Sequence, residues 1–578
     1  MMIRTVQPQY PFRRWFILGV FLCGMLTLIS RAAYLQLWNN DFLKEHGDAR
    51  SVRVVEIPSH RGVILDRNGE QLAMSTPVES IWANPKKVFD DAEKIPALAK
   101  ILDISTKELK QTLRDRMQRN FIYLKRHATP DIVEAINELG VKGVATQHEY
   151  KRYYPAAEVT SHIIGFTNID DQGQEGLELA YDDWLAGEPG AKRVLRDRLN
   201  RVIEDIESIK PPRPGKDLIL SIDRRVQYLA YRELAAAVKF HKARSGSLVM
   251  LDVNTGEVIA MVGQPSYNPN NRSELKSHYY RNRAVTDVLE PGSTMKPFTV
   301  AVGLEAGNYK PLTRINTSPG FIKVGDHTIR DMRNYGEINV TKIITKSSNV
   351  GASKIALSIE PEMYWNALSR FGFGQPTGSG FPGESSGSLN PYNTWSDVEI
   401  ATLSFGYGLS VTPLQLAHAY SVLATGGVML PVSFLKVNEN VSGKRVLSES
   451  IARQVRKMME TVVSSEGTGK RASVRGYRVI GKTGTVHKSV RGGYSDDRYL
   501  SLFAGIAPAS DPRYVMVVLI DEPRGDHHYG GVVAAPVFAK VMEGAFRILN
   551  IAPDNLPAIT SPIMANRPDL QLDEGFDG

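Results

Sequence analysis

The sequence predicts an α+β protein hung from one transmembrane helix, and three observations carry that reading. A long apolar run at residues 15–29 opens the chain. Strand pairs closed by turn signals, Asn68-Gly69 and Asn254-Thr255-Gly256, are mixed with long helical patterns instead of alternating with them one for one. A proline-rich break, Pro211-Pro212-Arg213-Pro214-Gly215, divides the remainder in two.

The apolar run, extended by Ala32-Ala33-Tyr34-Leu35 and with Arg31 able to snorkel, reaches the ~20 residues a bilayer requires. Arg4, Arg13 and Arg14 precede it, so the positive-inside rule places residues 1–14 in the cytoplasm and the bulk of the chain outside the inner membrane. No small-x-small cleavage site closes the run, so residues 15–37 are expected to remain as an anchor. Cys23, the single cysteine, lies inside it, which excludes an intrachain disulfide framework and a cysteine metal site and suits an oxidising periplasm. The net charge of +8 fits a polyanionic envelope or a lipid surface; no nucleic-acid module is recognisable, so nucleic acid is not expected as a partner.

Residues 38–214 read as a non-catalytic α/β pedestal. Arg61-Gly62-Val63-Ile64-Leu65-Asp66-Arg67-Asn68-Gly69-Glu70-Gln71-Leu72-Ala73 is strand, tight turn, strand. Helical patterns follow at 106–118 and 130–139. Glu175 and Glu178 are paired carboxylates whose expected role is structural. Residues 215–550 form the larger part: a strand at 218–223, a helix at 226–238, two strands across 246–262, strands at 502–507 and 515–520, and a helix at 535–548. Residues 551–578, rich in proline and acidic side chains, read as a flexible tail.

Chemistry concentrates in three short motifs of the larger part: Ser293-Thr294-Met295-Lys296, Ser347-Ser348-Asn349 and Lys482-Thr483-Gly484-Thr485. A serine is a weak nucleophile at neutral pH and needs a base beside it. Glu290-Pro291-Gly292 breaks the chain just before Ser293, and an apolar run follows Pro297, so a buried helix is expected to open at the serine. Its i, i+3 spacing puts Ser293 and Lys296 on one face. Ser-x-x-Lys also occurs at Ser273 and Lys276, in a polar loop, and at Ser433 and Lys436, in a strand-like run whose alternation would part the two side chains. Lys-Thr-Gly occurs once, after an apolar stretch, and reads as an edge strand along a cleft, where Gly484 admits a close backbone.

Other patterns fail. Gly467-Thr468-Gly469-Lys470 lacks the first glycine and the Ser/Thr of a phosphate loop, so no nucleotide cofactor is expected. His527-His528 has neither an HExxH context nor a cysteine, so no metal is expected.

In that order, 54 and 135 residues apart, the three motifs resemble those of the penicillin-interacting serine transpeptidases. The segment 61–73, with Arg152-Tyr153-Tyr154-Pro155, His162-Ile163-Ile164-Gly165-Phe166 and Gly173-Gln174-Glu175-Gly176-Leu177-Glu178, is similar to the pedestal of class B penicillin-binding proteins. The middle motif is Ser-Ser-Asn instead of Ser-Asp-Asn, as is usual in that class.

The resemblance implies a transpeptidase domain with an antiparallel sheet, helices on both sides and an all-helical part. It implies Ser293 as acyl-accepting nucleophile, Lys296 as base, and Ser347, Asn349 and Lys482 as relay and support. Thr483, Gly484 and Thr485 would bind substrate or a β-lactam carboxylate, and the Ser293 and Thr485 N–H groups would form the oxyanion hole. Tyr407, Tyr499 and Tyr529 would line the cleft. Peptidoglycan stem peptides and β-lactams are the implied ligands, and a membrane-embedded glycan polymerase with other division proteins the implied partners. Overall likeness is greatest to the septal members. An elongation-type transpeptidase shares every catalytic residue, and a membrane-anchored penicillin sensor without turnover shares Ser293 and Lys296.

Overall fold

The structure, a computed structural model, describes residues 11–38, 52–196, 202–273, 276–490 and 492–555. Arg4 and most of the expected 1–14 tail lie outside the described residues, as does the expected tail beyond residue 555.

Helix α1 (Pro11–Ala33) runs on as a π-helical turn, Tyr34–Trp38. Its span Phe12–Leu37 is the one helix among the described residues long and apolar enough to cross a membrane. Twenty-six residues at a rise of about 1.5 Å reach about 39 Å, more than a hydrocarbon core needs. Trp15, Phe21 and Leu28 are all exposed on it.

Beyond the anchor the chain forms two compact units and passes between them repeatedly. The first gathers the chain up to Arg61 with Pro77–Tyr150 and Ala186–Gly215; the second gathers Gly62–Thr76, Lys151–Leu185 and everything from Lys216. In the first unit lie β1 (Val52–Ile57), β2 (Gln71–Ala83, from Pro77 onward), β3 (Ile122–Ala128), β4 (Val144–Tyr153), β5 (Gly190–Arg196) and β6 (Val202–Lys210). Strands β1, β5 and β6 pair antiparallel in that order, while β2 lies between β3 and β4.

Helices α2 (Ile95–Leu102), α3 (Thr106–Asp115) and α4 (Pro130–Leu139) cover the second of these sheets. Each is punctuated by its own residues. Ser105 caps α3 by accepting from Glu108 N, Pro130 starts α4, and Gly140 ends it at φ +55°. Leu98, Leu102, Leu109 and Leu113 bury against Ile81 and Ile122 as the unit's core.

The second unit opens with the short strand Ile64–Leu65, which pairs with Ala73 and Gln71. Asp66 accepts from the N–H groups of Asn68 and Glu70 and closes the turn, with Gly69 at φ +88°. The expected strand at 218–223 is only Leu218–Ile219, because Asp223 instead caps α5 (Arg224–Phe240), accepting from Arg225 N at 3.0 Å.

A five-stranded sheet is the frame of this unit. It comprises β7 (Ser245–Asp252), β8 (Val258–Gln264), β9 (Ile480–Val490), β10 (Gly493–Ala507) and β11 (Tyr514–Asp521), ordered β8-β7-β11-β10-β9 with every pair antiparallel. Both faces are covered, so its central strands are apolar almost throughout; the run from Val515 to Ile520 is one example. Met250, Phe503, Met516 and Val518 face α5 and α11 (Ala535–Ile548). Val249, Leu251, Leu502, Val515 and Val517 face a helical layer. That layer includes α6 (Lys296–Glu305), α7 (Val340–Lys346), α8 (Asn349–Ala356), α9 (Pro413–Ala424) and α10 (Glu449–Glu460). The predicted α+β class, with helices on both sides of an antiparallel sheet, is what forms.

Candidate active site

Ser293 does not begin an α-helix. Gly292–Met295 is a 3₁₀ turn, and the α-helix starts at Lys296, with Pro297 at its tolerant first turn. The turn is anchored from below. Tyr420, fully buried on α9, donates to Thr294 O at 2.7 Å, and the Phe298 ring meets Phe371, Phe373 and Tyr420 edge-on at 5.0–5.2 Å.

Two close backbone approaches fix it from the sides. A Cβ on Gly406 would lie 2.2 Å from Gly292 O, and one on Gly292 would lie 2.3 Å from Val486 Cγ2. Strand β9, at the sheet edge, therefore runs against the Ser293 turn through its alternate residues Lys482, Gly484 and Val486. A Cβ on Gly484 would stand 3.1 Å from Thr294 Cγ2 and 3.2 Å from Pro291 O. That glycine thus serves the packing of strand on turn, a reason distinct from admitting a substrate backbone.

The three motifs converge on one nitrogen. Lys296 Nζ lies 3.0 Å from Ser293 Oγ, 3.0 Å from Ser347 Oγ, 2.6 Å from Ser347 O and 2.7 Å from Asn349 Oδ1. The orientation of the Asn349 amide is set by its own donation to Arg330 O at 3.0 Å, which turns the oxygen toward the lysine. Two of the four neighbours, the Ser347 carbonyl and the Asn349 amide oxygen, can only accept. A neutral amine has two N–H donors and one lone pair, so these acceptors use the donors and leave the lone pair for a hydroxyl proton.

Lys482 Nζ sits 2.9 Å from Ser347 Oγ and 3.1 Å from Thr483 O. The Ser347 hydroxyl is thus the bridge between two amines. It reaches that place because Ser347 ends α7 in the left-handed conformation, φ +61°.

Both amines are fully buried. Burial, and then the neighbouring Lys482, push Lys296 well below the ordinary ammonium range, while Asp331 opposes the shift. Burial alone pushes Lys482 down to about 7. Two ammonium groups in contact with one hydroxyl repel, so the site favours one proton over two. In its neutral form Lys296 has a lone pair for a hydroxyl proton, with Ser293 Oγ and Ser347 Oγ each 3.0 Å away.

Asp331 carries no signal in the sequence, yet it sets the middle motif. One of its oxygens accepts from Asn349 N at 2.5 Å and Val350 N at 3.0 Å, and the other from Ser348 Oγ at 2.6 Å. These are the free donors at the start of α8, so a carboxylate from the end of a distant short strand, His327–Arg330, supplements the Ser348 cap. Thr468, read in sequence only as part of a failed phosphate loop, shares a hydrogen bond with the Thr483 hydroxyl at 2.7 Å.

Thr483 and Thr485 lie on the face of β9 opposite Lys482 and Gly484. The Thr485 hydroxyl accepts from Gly530 N at 3.0 Å and keeps its own proton to give. The tyrosines fall into two groups. Tyr499 stacks on His528 at 3.9 Å and 12°, with Tyr529 beyond it and nearly half exposed. Tyr407 instead meets Tyr494 edge-on at 5.3 Å, next to Glu290. The second group adds Glu290 and Tyr494, which the sequence reading did not select. Among the described residues neither rejected serine is hydrogen-bonded to an amine: Ser273 Oγ donates to Asn271 in an exposed turn, and Ser433 Oγ to Leu435 O.

Residues 246–543 match the penicillin binding protein transpeptidase domain, and residues 56–220 the penicillin-binding protein dimerisation domain. Among curated relatives, the chain is 46% identical to the peptidoglycan D,D-transpeptidase FtsI of Escherichia coli K12 over 93% of its length and 92% of the relative's. It is 41% identical to the probable peptidoglycan D,D-transpeptidase PbpC of Pseudomonas aeruginosa, over 96% and 98%. Among solved structures, it resembles the transpeptidase domain of Burkholderia pseudomallei penicillin-binding protein 3 at 43% identity and a TM-score of 0.54, over 58% of this chain and 98% of that one. A peptidoglycan synthetase from Bifidobacterium adolescentis aligns over 88% and 98%, at 26% identity and a TM-score of 0.69. Pedestal, buried serine–lysine turn and lysine-bearing edge strand thus occur together in a chain that belongs to the class B penicillin-binding proteins.

Proposed function

We propose that this protein is a peptidoglycan D,D-transpeptidase that cross-links stem peptides through a Ser293 acyl-enzyme and is acylated by β-lactams at the same atom. The observation that carries the reading is the fully buried Lys296 Nζ, 3.0 Å from Ser293 Oγ and with its two N–H donors committed elsewhere. Its lone pair takes the hydroxyl proton as Oγ attacks the carbonyl of the penultimate D-alanine. Oxyanion donors at the Ser293 and Thr485 N–H groups are each worth ~3 kcal/mol in such a step. The C–N bond to the terminal D-alanine then breaks, and the departing amine takes a proton from the Lys296 ammonium through Ser347 Oγ, with Lys482 holding the relay. In the second half-reaction an acceptor amine attacks the ester, the new C–N bond forms, the C–O bond breaks and Ser293 Oγ is reprotonated. Thr483 and Thr485 hold the substrate carboxylate, and the tyrosines line the cleft.

The setting is septal wall synthesis. Helix α1 fixes the protein in the inner membrane with the N-terminus cytoplasmic and the catalytic part periplasmic, beside a membrane-embedded glycan polymerase and other division proteins. The 46% identity to the peptidoglycan D,D-transpeptidase FtsI of Escherichia coli K12, over 93% of this chain, supports a role in division. Labelling with a fluorescent penicillin tests the chemistry: Ser293→Ala abolishes it and Ser273→Ala does not, and label retained in Ser293→Ala refutes the assignment. A tagged copy that stays along the lateral wall through division refutes the septal role.

A further inference from the structure

Beside the Ser293 turn lies a cavity, about 410 Å³, that the acylation step does not use. Ser247, Glu290, Gly408, His487, Lys488 and Asp521 are among the residues that line it. It adjoins the reacting centre through the chain itself. Glu290 is three residues before Ser293, a reach of at most about 11 Å, and His487 is two residues beyond Thr485 on β9.

The charges around this cavity are paired except one. Arg283 binds Asp287 at 3.0 Å, and Lys488 binds Asp521 at 2.7 Å. Glu290 has no ionic partner among the described residues. One of its oxygens accepts from Gly408 N and Tyr494 Oη, both at 2.9 Å, whereas Oε2 is buried and meets no donor among the described residues. A buried carboxylate oxygen without a donor is costly, and a ligand that brings one is favoured there.

We infer that this cavity receives the amine-bearing end of the acceptor peptide, with the Glu290 carboxylate turning toward the cavity to bind its ammonium. The inference rests on the transpeptidase reading and assigns its second substrate a place. Burial raises the affinity of the Glu290 carboxyl for a proton, which is the direction needed for it to take one from the ammonium. The neutral amine then attacks the Ser293 ester, its nitrogen bonding to the acyl carbon as the C–O bond breaks. Its second proton passes to Ser293 Oγ, and Glu290 returns the first to water.

The test uses the full chain in detergent, a thioester donor ending in a D-alanyl group, and D-alanine as the amine acceptor. Glu290→Gln, which keeps the shape and removes the charge, is expected to raise the acceptor concentration for half-maximal transfer at least tenfold. Donor hydrolysis and the rate of penicillin acylation are followed in the same samples. A second arm needs no variant. N,N-dimethyl-D-alanine keeps an N–H⁺ but cannot form the amide, so in the wild type it should compete with D-alanine while leaving donor hydrolysis alone. An unchanged transfer curve in folded Glu290→Gln, or no competition in the wild type, overturns the inference. A wild type that neither takes up penicillin nor hydrolyses the donor would instead overturn the serine reading.

Discussion

Replacing Lys482 with methionine keeps its length and removes a charge next to the proposed base. Lys482 Nζ and Lys296 Nζ stand 2.9 and 3.0 Å from the same Ser347 Oγ. The two nitrogens are therefore no farther apart than both legs together, about 5.9 Å, and at an effective dielectric of about 20 their charges repel by about 2.8 kcal/mol, or about 2 pKa units. Only neutral Lys296 can take the Ser293 proton, so acylation falls tenfold for each pH unit below its pKa. Removing the neighbouring cation raises that pKa. The acid limb of the acylation rate should therefore move about 2 units to higher pH, and at a fixed pH on that limb acylation should slow about 100-fold. Stopped-flow labelling with a fluorescent penicillin across pH 5 to 10, on the order of ten points, reads this directly. Loss of the Lys482 proton also lowers the plateau, but a lower plateau alone does not test the argument. A limb that stays in place, or moves to lower pH, refutes the coupling of the two lysines. Methionine leaves no buried ammonium at position 482, so the melting temperature should not fall.

Three further substitutions probe the scaffold around the serine. Asp331→Ala strips three hydrogen bonds from the start of α8; it should cost about 2 kcal/mol in urea unfolding and slow acylation by misplacing Asn349, and unchanged values would deny Asp331 its positioning role. Gly484→Ala puts a methyl 3.1 Å from Thr294 Cγ2; the strand must move off the nucleophile turn, so acylation should drop at least about tenfold while the far-ultraviolet spectrum is unaltered. Tyr420→Phe leaves the buried Thr294 carbonyl without its 2.7 Å donor; a loss of about 1 to 2 kcal/mol is expected by thermal melting, and a neutral result would show that another donor replaces it.

Much of this protein was legible in the chain because its causes are local. The start of α3 and both ends of α4 follow from Ser105, Pro130 and Gly140, each acting within one turn of its own position, whereas α3 stops at Asp115, short of the expected residue 118. The tight turn at Asn68-Gly69 and the burial of both sheet faces around the run from Val515 to Ile520 are likewise written in composition and period. The order of Ser293, Ser347 and Lys482, with Lys-Thr-Gly occurring once, was enough to carry the resemblance on which the proposed chemistry rests.

What the chain order could not state is which groups meet. The start of the nucleophile segment is a 3₁₀ turn held by Gly406, Tyr420 and β9, partners far away along the chain. Ser347 bridges two lysines only because its backbone is left-handed at that point. Asp331 and Glu290 are ordinary acidic residues in sequence. Folding buries one oxygen of Glu290 without a donor among the described residues and aims both oxygens of Asp331 at the start of α8. Sequence determines propensity, punctuation and the identity of reactive groups, because those act between near neighbours. Burial, charge coupling and the direction of a proton depend on distances set by packing, and only the tertiary structure decides them.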